Sequence, residues 1–246
     1  MWTAWPPATR NSLPTAACVR LNAIRGLICP RKLLLRDRFQ TLSGEERCSA
    51  TIAADLWLLH DPGRSRDQDG DKVKGSVHGA SVGVHASDAA NAWRNIAAVS
   101  NQRNTMASLI VGAYHTAGQS PHVRLERWPL KQDAMEAIDD PLELLKITED
   151  AVRGRDQALA AAATQRYGER GGSPRPMFDV LLSFATSQDG ALHAEKYYRT
   201  VTEEFAKTRP SMRWRHLVGL ARVSASEYGT PAPGYREACD LMNVDA

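Results

Sequence analysis

From Asn91 onward, apolar residues recur at intervals of three and four, the spacing that lines one face of an α-helix. Ala194, Tyr197, Tyr198, Val201 and Phe205 make one such stripe, and Phe178, Leu181, Leu182 and Ala185 make another. On a single continuous helix these two stripes would be out of phase, so a break is expected near Asp189 and Gly190, separating helices over 177–187 and 191–207. A following helix over 211–228 carries Trp214, Leu217, Val218, Ala221, Ala225 and Tyr228 on one side and Leu220 and Val223 on the other. Apolar on both faces, it is expected to be central and buried.

Upstream, Trp93, Ile96, Ala97, Asn104, Ala107, Val111, Tyr114 and His115 fall on one face of what reads as a single long helix. Pro141, behind Asp139 and Asp140, opens another helix that runs through Leu144, Ile147 and Ala151 towards Gly154. Asp156 is placed to cap the alanine-rich helix after it, and Gly168 to end that helix. With no internal repeat and no long heptad seam, the expected fold is mainly α, a multi-helix orthogonal or bundle-like array.

Three segments are expected: a basic N-terminal extension over 1–42, a helix plus charged loop over 43–90, and an α-helical domain over 91–246. No acidic residue occurs before Asp37, while Arg10, Arg20, Arg25, Arg31, Lys32 and Arg36 lie among apolar residues and prolines. That composition is expected of a poorly ordered extension, or alternatively of an organellar targeting segment on an otherwise cytoplasmic protein. Ser43 and Glu46 form a capping box for a helix over 45–60 that Asp61, Pro62 and Gly63 stop.

Lys and Arg outnumber Asp and Glu by 12 to 9 before Asn91 and balance at 19 to 19 from there on. A neutral helical part argues against nucleic acid as a partner, which needs a dense basic field. The four cysteines, Cys18, Cys29, Cys48 and Cys239, form no Cys-x-x-Cys pair, which favours free thiols over a disulfide frame or a zinc site. No apolar run approaches the ~18 residues of a membrane span, so the chain reads as soluble, with no membrane partner.

The densest chemistry begins at Asp189–Arg199 and continues along the same helix, where His193, Tyr197, Thr200 and Glu204 flank a buried stripe and Glu195 follows His193 within about half a turn. An imidazole, a phenol and carboxylates at a core boundary suit general acid and base work on a small-molecule substrate. His115, in the stripe of its own helix, could complete the site from across a cleft. The candidate catalytic set is therefore His193, Glu195, Tyr197, Glu204 and His115. The same chemistry suits a metal, iron, manganese or zinc, held by His193, Glu195 and His115, and with it oxidoreductase activity. No Glu-x-x-His pair of the dimetal bundles occurs.

Against this helical enzyme stand two alternatives. One is a non-catalytic interaction or scaffold protein in which the same histidines only hydrogen-bond. The other is a serine hydrolase: Gly79-Ala80-Ser81-Val82-Gly83 matches the Gly-x-Ser-x-Gly elbow, with Ser81 as nucleophile and His193 or His216 as base. Asp67, Asp69 and Asp71 stand around Gly70, but the glycine is two places early for a calcium loop and His78 replaces the closing glutamate. The sequence leaves substrate and oligomeric state open.

Overall fold

A computed structural model describes residues 58–63, 75–77, 82–118, 131–188 and 194–245. The N-terminal extension, all but the last turn of the helix expected over 45–60, the acidic turn at Asp67–Asp71 and the connector over 119–130 lie outside them. Among the described residues, after a helical turn at 58–60, eight α-helices follow in order: α1 (Val82–Val99), α2 (Gln102–Gly118), α3 (Pro141–Arg153), α4 (Gln157–Glu169), α5 (Pro174–Ser187), α6 (Ala194–Lys207), α7 (Pro210–Glu227) and α8 (Tyr235–Met242). A 3-10 turn, Asp133–Met135, precedes α3. Among the described residues there is no strand, only an isolated bridge between Gln188 and Pro231. The mainly α, bundle-like reading holds.

Local chemistry explains most boundaries. Asp140 and Asp156 cap α3 and α4, their carboxylates accepting from the Leu142 and Leu159 N–H at 3.0 Å. Prolines at the first turn start α3, α5 and α7, where their missing N–H costs nothing. Gly168 does not end α4, which runs to Glu169; the left-handed position is taken by Gly171. Gly168 serves packing instead, since a Cβ there would stand 2.5 Å from the Trp214 ring.

The core gathers around α7, which packs on α3, α4, α5 and α6. Leu217, Leu220, Ala221 and Val223 are buried on its different sides, as a helix apolar all round requires. Burying each leucine contributes roughly 1.5–3 kcal/mol. Around this axis an edge-to-face relay of rings runs Tyr167, Trp214, Phe205, Phe178, Tyr198, with centroids 5.3–5.9 Å apart. Arg222, also on α7 and fully buried, donates to the main-chain carbonyls of Leu58 and Asp61 and to Gln157. It thereby ties the helical turn at 58–60 to the core. Burial lowers its pKa to about 10, so it remains charged at neutral pH.

The single long helix expected from Trp93 to His115 is two helices. The break falls at Ser100 and Asn101, where the Asn101 side chain accepts from the Asn104 N–H and Thr105 donates to the Ala97 carbonyl. The helix containing Asn91 begins nine residues earlier, at Val82. The buried side of α2 is also different from the one its large apolar residues suggest: Ser108, Gly112 and Thr116 face inward, whereas Asn104, Ala107, Val111 and Tyr114 face water. Close approach of α1 is the reason, because a Cβ on Gly112 would lie 3.1 Å from the Trp93 Cβ.

Candidate functional site

The most heavily hydrogen-bonded buried region among the described residues is the seam between α1 and α6. Ser87, Asp88, Asn91, Arg94 and Asn95 recur along one side of α1 at helical spacing. On α6, Lys196, Thr200, Glu203 and Glu204 repeat in the same way and meet them. Thr200 Oγ1 donates to Asp88 Oδ1 at 2.8 Å, and Lys196 Nζ stands 2.8 Å from Asp88 Oδ2. One turn along, Asn91 Nδ2 donates to Glu204 Oε1 at 2.7 Å and to Glu203 Oε2 at 3.1 Å. Arg94 Nη2 forms an ion pair with the same Glu204 oxygen. Asn95 Nδ2 closes the row on Glu203 Oε2 at 2.8 Å and on Asn91 Oδ1 at 3.1 Å.

Glu204 is wholly buried and Arg94 nearly so. The second Glu204 oxygen, Oε2, and the Arg94 Nε have no hydrogen-bond partner among the described residues. Hydrogen bonds from Asn95 and Asn91, with a smaller contribution from Arg199, lower the Glu203 pKa to about 2 against a weaker opposing effect of burial. Glu203 is therefore a carboxylate at any physiological pH and cannot donate a proton. Glu204 Oε1 already receives two donors. The seam is chemically suited to holding two helices in register, with its acceptors largely occupied by protein donors.

Of the residues singled out from sequence, His193 and Ser81 lie outside the described residues. Glu195 is exposed on α6, and nine residues at 100° each place it half a revolution from buried Glu204. Tyr197 is buried towards α7, its hydroxyl 3.1 Å from where a Cβ on Gly219 would stand. Thr200 and Glu204 belong to the seam. His115 is half-buried on α2, and no hydrogen bond or ion pair joins it to Glu204 or Glu195. Among the described residues no three of His, Cys, Asp and Glu are grouped so as to hold a metal ion. His216 is buried on α7, with Nε2 2.8 Å from Thr208 Oγ1. Gly83, the last residue of the Gly-x-Ser-x-Gly match, lies inside α1, where a Cβ would meet the Leu58 backbone at 2.5 Å.

Sequence reasoning missed the α1 half of the seam. The available signal was Asp88, Asn91, Arg94 and Asn95 recurring at helical spacing, with Asp88 and Arg94 the only charges in their helix. No known protein family matches the chain, and no curated protein or solved structure is similar to it.

Proposed function

We propose that the chain is a non-catalytic helical interaction protein whose binding element is the α1–α2 hairpin. One observation carries this reading. From Val82 to Gly118 the charged residues are Asp88, Arg94 and Arg103, and the first two face α6, so Arg103 alone brings a formal charge to the solvent side. On that side Ile110, Val111 and Tyr114 are 54%, 41% and 73% exposed. The water-facing side of a helix is ordinarily charged, and an apolar one marks a contact surface. The occupant it suits is another uncharged, apolar helix face. The polar seam fits the same role, because paired hydrogen bonds fix the hairpin's register on α6 and so the direction in which its outer face points.

The helical-enzyme reading has less behind it. Glu195 and Glu204 look to opposite sides of α6, Glu204 is committed to Arg94 and Asn91, and His115 stands on a helix that packs on α1. The residue it is centred on, His193, lies outside the described residues, as does the Ser81 of the hydrolase alternative.

Thermal unfolding of dilute full-length Ile110→Ser, Tyr114→Ser double variant tests the reading. A face reserved for a partner predicts a Tm within about 2 °C of the parent, as for other surface substitutions. A fall of about 8 °C or more would place both side chains in the chain's own core and contradict it.

A further inference from the structure

Resting on the interaction reading, we propose that the occupant of this face is the same face of a second copy, with two α2 helices antiparallel about a twofold axis between Ile110 and Val111. The exposed stripe of α2 consists of Arg103, Ala107, Ile110, Val111, Tyr114 and Gly118, spaced by three and four residues. Folding that stripe back on itself about the 110–111 midpoint sets Ile110 against Val111, Ala107 against Tyr114, and Arg103 against Gly118 of the second copy. At two of these levels the smallest residue meets a large one, which is how facing helices interdigitate.

Among the described residues nothing lies within 4 Å of the Gly118 Cβ position, so none of them stands in the way of an arginine from outside. That arginine would arrive at the C-terminal end of the second α2, where carbonyl oxygens accept and the helix dipole favours a cation. Between the two arginine positions no charge occurs, so the pair meets no like-charge repulsion, and nothing selects for a partner of opposite charge. A lipid surface suits the face less, since helices lying on membranes carry lysines and arginines along their polar side. The contact is isologous and therefore closes at two copies.

Sedimentation equilibrium of the full chain from about 1 to about 100 µM tests the pairing, read through a residue swap. The expected result is a reversible dimer that Tyr114→Ala weakens about 10-fold or more by leaving a void, and that Ala107→Tyr weakens similarly by opposing two tyrosines. Combining them re-creates the small-against-large level in reverse and restores affinity to within about 3-fold of the parent. Both positions are exposed in the single chain, so each change is expected to leave the fold in place. Should Ala107→Tyr not fold, Tyr114→Ala alone reads the contact. A monomer at every concentration overturns self-pairing. If the Ile110→Ser, Tyr114→Ser variant then keeps its Tm, the interaction reading survives with a different partner; if its Tm falls, both readings fail. A dimer indifferent to Tyr114→Ala also overturns the proposed contact.

Discussion

Arg94 on α1 and Glu204 on α6, 110 positions apart in the chain, form an ion pair that is almost entirely shielded from water. Such a pair is costly to bury and more costly to break. Arg94→Met alone should destabilise the fold by about 3–5 kcal/mol, because the Glu204 carboxyl is left buried without its ion-pair partner. Arg94→Met with Glu204→Met should recover most of that loss, the apolar pair filling the same space. Urea denaturation with all three variants checks this, and an additive double variant would remove the pair's structural role.

Acid should loosen the seam in a defined window. The folded-state pKa of Glu203 lies at about 2, below its ordinary 4.5, so its contribution to stability is present above pH 4.5. It is lost as pH falls from 4.5 towards 2. Asn95→Ala removes the largest cause of the depression and should move the Glu203 titration upward, which a carboxyl-resolved NMR titration reads directly.

Gly83 is required by contact with the backbone of Leu58. Gly83→Ala should destabilise by about 1–3 kcal/mol, since the atoms it would strike are main chain and cannot swing aside. Equilibrium denaturation measures the loss, and an unchanged midpoint would mean that α1 and the turn at 58–60 leave room for a methyl group between them.

How much of this could be read from the residues depended on whether large side chains point inward. In α6 and α7 they do: Tyr197, Val201 and Phe205 are buried, as are Leu217, Leu220 and Val223, and periodicity located both helices to within a few residues. In α2 they do not. Close helix contact there selects Ser108, Gly112 and Thr116, so a pattern weighted by hydrophobicity assigns the wrong face. The short α8 went unseen because its one buried side chain is Cys239, and its limits are set by left-handed Gly234 and Asn243 rather than by a stripe. The seam was half legible. Thr200 and Glu204 stood out beside a buried stripe, but their α1 partners lie more than 100 positions away, and no local rule connects them.

The outward face of α2 is the feature on which the functional reading turns, and hydroxyl-radical footprinting of the dilute full chain, at about 1 µM, examines it residue by residue. Tyr114 is expected to be oxidised rapidly, in contrast to Tyr167 and Tyr197, which the core shields. Protection of Tyr114 to the same degree as Tyr197 in that dilute sample would show that the chain covers this face itself, and would contradict its assignment as an interaction surface.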